Sequence, residues 1–383
     1  MSHSVQCAKP FSCARCRRLT HPCQASGLLH IRFPSAHTQV KVIQLLKSLC
    51  QQITVQNDVI TLPFISKDAI ALFTQLMQVL TPMEQDDVKV LFQPEGKVME
   101  LQDYFGVESL HRFWSLHQSS WLVDVIEGNQ LFTLFQPIVE AQSTNVFAYE
   151  CLLRGKRDNQ VILPGQLFGT ARDAGMLFRL DVAARLAAIE GAANCGIRQK
   201  VFINFLPNAI YDPQTCLRKT ISALDRSNLK RDQVVFEVVE SDRITDLNHL
   251  LSVLDFYRAE GFEVALDDLG AGYSSLNLLH ELKPNYVKLD MGLIQNVHGD
   301  RYKGLLAEKL LEIAHLLGVK TIAEGIECQE DYEWLRQRQV DYMQGYYFSP
   351  PIAPPIAPPI IPMTSSLSAP ALKTTPSGTL AVS

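Results

Sequence analysis

Between about residue 130 and residue 350, short apolar segments alternate with longer amphipathic segments, and this alternation limits the fold more than any other feature of the chain. Val264–Leu266 is typical of a buried strand, and Lys303–Leu317 is typical of a helix. Gly318 directly follows that helix, as expected of a residue that adopts the left-handed conformation easily. Repeated strand–helix units of this length predict a parallel sheet with right-handed crossovers.

A parallel sheet of this kind is either open or closed into a barrel. An open doubly wound sheet fits the alternation, but no Gly-x-Gly-x-x-Gly sequence follows any of the predicted strands. Polar residues stand at the ends of many strands instead, which favours a barrel with its site at the carboxyl ends of the strands. We therefore predict an α/β fold with a (β/α)8 TIM-like barrel over residues 130–352.

One strand of this region carries two adjacent acids. In Phe262–Leu276 (FEVALDDLGAGYSSL), Asp267 and Asp268 follow the apolar residues directly, and Gly270 allows the next loop to bend. A buried strand that delivers carboxylates into a loop is how a parallel α/β enzyme presents metal ligands. The alternative is an acidic pair in a solvated turn.

Eight motifs of the chain resemble those of EAL-type cyclic di-GMP phosphodiesterases and occur in that family's order. They are FQPIV (Phe135–Val139), ECLLRG (Glu150–Gly155), FINFLP (Phe202–Pro207), FEVVES (Phe236–Ser241), DDLGAGYSSL (Asp267–Leu276), VKLD (Val287–Asp290), AEGIE (Ala323–Glu327) and QGYYFSP (Gln344–Pro350). The resemblance covers residues roughly 120–352 and implies the same barrel with one strand reversed.

The resemblance also implies a metal site at the ends of the strands. The implied metal ligands are Glu150, Asn204, Glu237, Asp267, Asp268 and Glu324. Converging carboxylates would repel one another without a cation, and oxygen ligands in this number suit two Mg²⁺ or Mn²⁺ ions. Glu150, Lys288 and Glu324 are the implied catalytic residues, with Lys288 orienting the attacking water and Glu324 a candidate general base. Lys288 lies within an apolar strand, where an unpaired ammonium would be unfavourable, so a carboxylate-lined pocket is the better explanation of its position.

Other matching positions are implied to bind substrate or to support the site. Gln136, Arg154 and Gln344 would complete the substrate pocket, with Arg154 suited to phosphate because its guanidinium donates two parallel hydrogen bonds. Glu240 would support the loop that follows Asp267, and Glu327 would support the pocket. Gln136 could instead merely begin a strand, and Glu240 could be a solvated strand end.

Two positions depart from the family pattern. Cys151 replaces the alanine of the family's EAL sequence, and Leu269 replaces the phenylalanine of DDFG. Cys151 is next to a ligand on a strand, so its side chain should point to the other face, where a small thiol is tolerated. Leu269 has less bulk to position its loop or the dimer contact that this loop supports in relatives.

The resemblance implies a phosphodiesterase that hydrolyses cyclic di-GMP to linear pGpG, with a homodimer formed through the barrel. One alternative is a catalytically weak or inactive EAL-like module that binds cyclic di-GMP or a protein partner, and another is an unrelated metal-dependent barrel hydrolase. Degenerate members typically lose metal ligands, whereas this chain retains all of them. No GGDEF-type cyclase motif occurs, so we expect degradation of the messenger without synthesis.

Before the barrel, residues 28–106 are predicted to form a small α+β regulatory domain with the ferredoxin-like order β-α-β-β-α-β. Val40 and Ile70 are expected on the inward faces of its two helices, and Ser66 is expected to cap the second. Residues 107–129 are predicted to be one linking helix.

Residues 1–27 contain four clustered cysteines, Cys7, Cys13, Cys16 and Cys23. Cys13 and Cys16 have the spacing that lets two thiolates reach one tetrahedral ion, so we expect a second metal site that holds Zn²⁺ or, less readily, an iron–sulfur cluster. A thiol redox switch and a flexible tail are the alternatives.

Charge and hydropathy exclude other classes of function. The net charge of −5 argues against a general nucleic-acid binder. No apolar run approaches the roughly 18 to 20 residues that span a bilayer, and the amino terminus lacks an apolar signal segment, so we expect a cytoplasmic protein without membrane insertion. The proline-rich residues 353–383 predict an extended, disordered tail.

Overall fold

A computed structural model of the chain describes residues 26–49, 52–65, 69–239, 246–271 and 275–355. The four clustered cysteines, Ser66, Glu240 and the tail from residue 356 onward lie outside these residues. The chain divides into two compact units. The first contains the described parts of Met1–Thr133, Leu153–Asn194 and Phe205–Asn228. The second contains Leu134–Leu152, Cys195–Asn204 and the described part of Leu229–Ser383.

The first unit begins with an antiparallel sheet. Its strands are β1 (Gly27–Arg32), β2 (Thr54–Gln56), β3 (Val59–Phe64), β4 (Lys89–Pro94) and β5 (Glu108–Ser109). They lie in the order β2-β3-β1-β4-β5. Four helices accompany them: α1 (Ala36–Leu49), α2 (Ala69–Val79), α3 (Pro82–Asp87) and α4 (Leu101–Tyr104). The element order and the antiparallel pairing of β1 with β3 and β4 are those of the predicted ferredoxin-like arrangement, with a short extra helix before β4.

The predicted inward faces of the two long helices were wrong at two positions. Val40 is 53% exposed and Ile70 is 61% exposed. Helix α1 begins at Ala36, a full turn before the apolar pattern starts, because the Ser35 hydroxyl accepts a hydrogen bond from the backbone N–H of Thr38. The apolar pattern alone does not reveal this cap.

The predicted linking helix is two helices rather than one. These are α5 (Leu110–Gln118) and α6 (Ser120–Glu127), which meet at Ser119. Ser119 is buried, has non-helical backbone angles and donates from its hydroxyl to the carbonyl oxygens of Ser115 and Leu116. A serine that bonds back to the preceding turn competes with the regular helical ladder, which explains the break.

The remaining elements of the first unit are mostly helical. They are β8 (Gln160–Ile162), which pairs with the end of β7 (Val146–Arg157), and helices α7 (Pro164–Asp173), α8 (Leu177–Asn194), α9 (Pro213–Cys216) and α10 (Arg218–Arg226). Apolar clusters of the described residues are buried in this unit. One joins the sheet to α1, α2 and α5, and another joins α6, α7 and the start of α8.

The second unit is built on a closed ring of eight strands. Besides β7 they are β6 (Leu131–Glu140), β9 (Lys200–Asn204), β10 (Val234–Val239), β11 (Glu263–Leu269), β12 (Tyr286–Leu289), β13 (Lys320–Ala323) and β14 (Tyr342–Met343). They lie in the order β6-β14-β13-β12-β11-β10-β9-β7, and a pairing of β6 with β7 closes the ring. β6 runs antiparallel to β14, so the predicted barrel and its one reversed strand are confirmed.

Helices connect the parallel strands of this unit. They are α11 (Leu247–Ala259), α12 (Ser275–Leu282), α13 (Met291–Ile294), α14 (Arg301–Leu316) and α15 (Gln329–Gln337). The barrel interior is filled by one buried apolar residue from each of seven strands, with Tyr342 from β14 packed against them. Among the described residues no helix is both long enough and apolar enough to cross a membrane.

Candidate functional site

A layer of polar side chains lies directly above the apolar interior of the barrel. Side chains two positions apart on a strand point to the same face, so the residue two positions from each interior residue enters this layer. The pairs of interior and polar residue are Ile138 and Gln136, Ala148 and Glu150, Phe202 and Asn204, Val235 and Glu237, Ala265 and Asp267, Tyr286 and Lys288, Ile322 and Glu324, and Tyr342 and Gln344. On the seven parallel strands the polar residue follows its interior partner, whereas on the reversed strand β6 it precedes it. All eight polar residues therefore lie at the same end of the barrel.

Lys288 is the centre of this layer and is 1% exposed. Its Nζ lies 2.6 Å from Glu324 Oε1 and 2.9 Å from Glu237 Oε1. The same nitrogen lies 3.1 Å from Asp267 Oδ1 and 3.7 Å from Glu150 Oε1. One ammonium thus contacts four carboxylates, which confirms the expectation that Lys288 is buried against acids.

Amide side chains connect the carboxylates around this lysine. Asn204 Nδ2 donates to Glu237 Oε2 at 2.9 Å and to Glu150 Oε1 at 3.3 Å. Gln344 Nε2 donates to Glu150 Oε2 at 2.6 Å and to Gln136 Oε1 at 3.1 Å. Gln136 therefore does more than begin a strand, since it takes part in a buried polar network with Gln344.

Two carboxylates of the layer, Glu237 and Glu324, hold protons more tightly than free side chains do. Burial raises the pKa of Glu237 well above its usual value, and the attraction of Lys288 does not offset it. Burial, together with repulsion from Asp267 and Glu150, raises the pKa of Glu324 to about 8 despite the nearby Lys288. Burial would lower the pKa of Lys288, but the four surrounding carboxylates raise it instead, so this lysine stays charged.

Asp268 lies beside the layer, at the last position but one of β11. Its backbone φ is +59°, a left-handed conformation that aspartate tolerates better than most residues. The pairing of β11 with β12 shifts register between Leu266 and Leu269. Because of this irregularity, the Asp268 side chain does not follow the regular alternation of side chains between the two faces of the strand. Burial, followed by repulsion from Asp267, raises the pKa of Asp268 to about 6.

The donor set fits hard divalent cations. Carboxylate oxygens of Asp267, Asp268 and Glu324 lie within 4.8 Å of one another. Gln344 Oε1 is buried without a hydrogen-bond partner in the described part of the chain, so a polar acceptor in the layer is still unsatisfied. One ammonium cannot neutralise this number of acids, and repulsion among them adds to the effect of burial on the pKa values of Glu237, Glu324 and Asp268. Oxygen-rich, anionic sites of this type suit Mg²⁺ or Mn²⁺.

Three further positions were predicted to bind substrate or to support the site. Arg154 belongs to the first unit, where its Nη1 donates to the carbonyl oxygen of Leu153 at 2.8 Å. Glu327 accepts a hydrogen bond from Gln295 Nε2 at 3.2 Å. Glu240 lies outside the described residues. Their substrate-binding and supporting roles stay predictions.

The two departures from the family pattern are buried. Cys151 is 6% exposed, and burial, followed by the charges of Glu237 and Glu150, raises the pKa of its thiol. Leu269 is 1% exposed, and its carbonyl oxygen accepts a hydrogen bond from the backbone N–H of Asp290. Both substitutions are therefore accommodated in the interior without displacing any of the eight polar residues.

Two further residues at this end of the barrel were not singled out from the sequence. Asp290 is close enough to Asp268 to contribute to its raised pKa. The carbonyl oxygen of Ser349 accepts a hydrogen bond from Gln136 Nε2 at 3.3 Å. Asp290 could have been found, because it closes the VKLD motif at a strand end, whereas a backbone carbonyl leaves no sequence signal.

The fold and this layer define a class of protein, the TIM-like barrels with an acidic site at the carboxyl ends of their strands. The sequence model of the EAL domain matches residues 119–351. The chain belongs to the EAL domain family.

Named relatives agree with this assignment. The chain is 28% identical over 234 residues to the probable cyclic di-GMP phosphodiesterase PdeG of Escherichia coli K12, an alignment that covers 59% of this chain and 46% of PdeG. It is 24% identical over 216 residues to the blue light- and temperature-regulated antirepressor BluF of the same organism, with 56% of this chain and 53% of BluF covered. The chain spans about half the length of the curated relatives it matches.

A solved structure is similar over the barrel region. The cyclic di-GMP-bound form of a standalone versatile EAL protein from Vibrio cholerae O395 is 36% identical, with a TM-score of 0.55. The match covers 60% of this chain and 95% of the Vibrio chain.

Proposed function

We propose that this chain is a divalent-cation-dependent phosphodiesterase that hydrolyses cyclic di-GMP to linear pGpG. The observation that carries the proposal is the convergence of one polar residue from each of the eight barrel strands, with Lys288 of β12 at the centre. The name of PdeG and the nucleotide bound to the Vibrio cholerae protein support the choice of substrate.

The polar layer provides the ligands for two cations. Glu150, Asn204, Glu237, Asp267, Asp268 and Glu324 would hold two Mg²⁺ or Mn²⁺ ions. These ions would supply Lewis acidity, acidifying the attacking water and neutralising charge on the phosphodiester. Because Asn204 donates its Nδ2 protons to Glu237 and Glu150, its carbonyl oxygen is left for a cation.

The side chains themselves would bind, orient and move protons. Lys288 donates from the centre of the layer and would orient the attacking water. Glu324 would accept the proton of that water, because its carboxylate lies 2.6 Å from Lys288 Nζ, the group that would orient the water. Water oxygen then bonds to phosphorus, the bond from phosphorus to the 3′ oxygen breaks, and the 3′ oxygen takes up a proton. Gln136, Gln344 and Arg154 would bind the guanine and the phosphate.

The other regions would regulate or assemble this barrel. We propose that residues 28–106 form a regulatory domain and that residues 107–129 link this domain to the barrel. We also propose that the protein forms a homodimer through the barrel. The four clustered cysteines of residues 1–27 would hold Zn²⁺ or an iron–sulfur cluster, and residues 353–383 would form an extended tail.

The decisive experiment is hydrolysis of cyclic di-GMP by the full chain with Mg²⁺ or Mn²⁺, followed by chromatography of the nucleotides. We expect linear pGpG from the wild type, at least a hundredfold less from Glu150→Gln, and none from either protein in EDTA. Glu127→Gln, at an exposed carboxylate that pairs with Arg179, is the matched control and should leave turnover unchanged. Cyclic di-GMP that binds to the wild type without turnover would overturn the proposal in favour of a binding module.

A further inference from the structure

Among the described residues of the second unit, one more group of side chains besides the polar layer has the composition of a metal site. His298, Cys328 and Asp331 offer a nitrogen, a sulfur and an oxygen that all lie within 4.8 Å of one another. His298 lies in the loop between α13 and α14, Cys328 directly precedes α15, and Asp331 lies in the first turn of that helix. Cys328 and Asp331 thus have the two-residue separation common to chelating pairs.

Asp331 is held in place and ionised. It is 3% exposed, and its Oδ1 lies 2.7 Å from His298 Nδ1. The backbone N–H groups of Asn296 and His298 donate to its two oxygens at 2.9 Å and 3.2 Å. Burial would raise the pKa of Asp331, but these hydrogen bonds lower it below its usual value. The Cys328 side chain also hydrogen-bonds to Asp331, so the roughly four acceptor positions of this carboxylate are used and its orientation is determined.

The three side chains are arranged so that a cation can replace protons. His298 Nδ1 and Asp331 Oδ1 share a hydrogen bond, and Cys328 is a free, partly buried thiol whose pKa is raised by burial. A cation between the three atoms would take the place of the imidazole proton and of the thiol proton. Because His298 is exposed, water can reach the fourth position.

We propose that His298, Cys328 and Asp331 bind one divalent cation of the Zn²⁺ type, separate from the ions of the polar layer. Mixed sulfur, nitrogen and oxygen ligands suit zinc, whereas Mg²⁺ and Mn²⁺ prefer oxygen alone. His298 Nδ1 and Asp331 Oδ1 are 2.7 Å apart, and two tetrahedral ligands of one zinc ion would be about 3.3 Å apart, so these atoms would separate by about 0.6 Å when the ion binds.

Occupancy of this site would affect the segment between β13 and α15. That segment carries Glu324, Glu327 and Cys328, and Glu327 is already bonded to Gln295 in the same loop as His298. A cation would add a second connection between the segment and that loop. This consequence for turnover rests on the proposed function, whereas the binding of the cation does not.

The test uses Co²⁺ as a spectroscopic substitute for Zn²⁺, because a cobalt–thiolate bond gives a charge-transfer band in the near ultraviolet. The full chain carries Cys7→Ser, Cys13→Ser, Cys16→Ser and Cys23→Ser, which removes the other clustered thiols, and millimolar Mg²⁺ is present to occupy the polar layer. We expect one equivalent of Co²⁺ to produce the band and Zn²⁺ to abolish it.

Matched variants identify the thiol that produces the cobalt–thiolate band. Cys328→Ser and Cys328→Ala should each remove the band, and His298→Ala should weaken Co²⁺ binding at least tenfold. Cys195→Ser, at an exposed free thiol, should leave the band unchanged. Circular dichroism identifies any variant that fails to fold. The proposal is overturned if the protein that retains Cys328 gives no band, or if a folded Cys328 variant still gives it. The three side chains would then form only a hydrogen-bonded group.

Discussion

At the scale of single residues, Lys288 determines whether the acids of the layer can be buried together. Its Nζ contacts Glu324, Glu237 and Asp267 within 3.1 Å, and no part of the barrel interior below offers a counter-charge among the described residues. Breaking a buried ion pair by removing one partner usually costs about 3 to 5 kcal/mol, because the other partner is left uncompensated. Lys288 therefore has both a structural and a proposed catalytic role.

Replacing this lysine tests both roles. We expect Lys288→Met to lower kcat for cyclic di-GMP by about a hundredfold or more, since the attacking water loses its orienting donor. We also expect the metal-free variant to unfold at a lower temperature than the wild type. The measurements are steady-state kinetics with Mg²⁺ and thermal unfolding in EDTA.

The matched control is Lys309→Met. Lys309 is exposed and pairs with Glu312 at 2.6 Å, so its loss should leave both the unfolding temperature and kcat essentially unchanged. Unaltered kcat in Lys288→Met would remove Lys288 from the proposed mechanism.

At the scale of elements, the strands of the barrel were predictable and some helix limits were not. A strand such as β11 is predicted by its apolar residues, which are followed directly by acids. Helix α1 begins four residues before Val40, because a hydroxyl cap rather than the apolar pattern determines its start. The break at Ser119 depends on a side-chain hydrogen bond that a periodic pattern does not contain.

The composition of the site was predictable, but the reason for its assembly was not. The sequence pointed to Glu150, Asn204 and Glu237 through motifs, without showing that each follows an interior residue by two positions. That rule depends on strand register, and on β6 it reverses, so Gln136 precedes Ile138. The contacts of Lys288 with four acids likewise depend on barrel closure, which brings distant strands together.

The segments that carry Glu324 and Gln344 cross each other closely at Gly345. Ile326 N donates to Gln344 O at 3.1 Å, and Tyr347 N donates to Ile326 O at 2.9 Å. A Cβ at Gly345 would lie 2.0 Å from the backbone oxygen of Ile326, and a backbone atom cannot move aside as a side chain can. We expect Gly345→Ala to separate the two segments, to destabilise the protein by about 2 to 3 kcal/mol, and to lower turnover by displacing Gln344.

Denaturant unfolding and kinetics measure these effects, and Gly169→Ala is the control. Gly169 lies within helix α7, and a Cβ there meets no atom within 4 Å among the described residues. Alanine should stabilise that helix by up to about 1 kcal/mol and leave turnover intact. If Gly345→Ala and Gly169→Ala are equally stable, the close crossing at Gly345 is not required for the stability of the protein.

At the scale of the whole molecule, the charge of the polar layer links stability, pH and cations. Glu324, with a pKa of about 8, and Asp268, with a pKa of about 6, both hold protons in the folded state at pH values where the unfolded chain has lost them. The folded state then binds more protons than the unfolded state, so the free energy of unfolding falls as pH rises. The effect spans the interval from the unfolded pKa values near 4 to about pH 8.

A divalent cation should reverse this dependence, because it replaces the protons. We expect the unfolding temperature in EDTA to fall between pH 5 and pH 8, and Mg²⁺ or Mn²⁺ to raise it more at pH 8 than at pH 5. When the free cation concentration is a hundredfold above its Kd, one bound ion stabilises the folded state by about 2.7 kcal/mol. Differential scanning calorimetry at both pH values measures the change in unfolding temperature with pH and the change caused by the cation.

Glu324→Gln is the variant that tests this explanation. It should flatten the fall of the unfolding temperature with pH in EDTA and reduce the stabilisation by the cation at pH 8. A stabilisation by Mg²⁺ that is equal at both pH values, or unchanged in Glu324→Gln, would mean that cations bind elsewhere than at these strand ends.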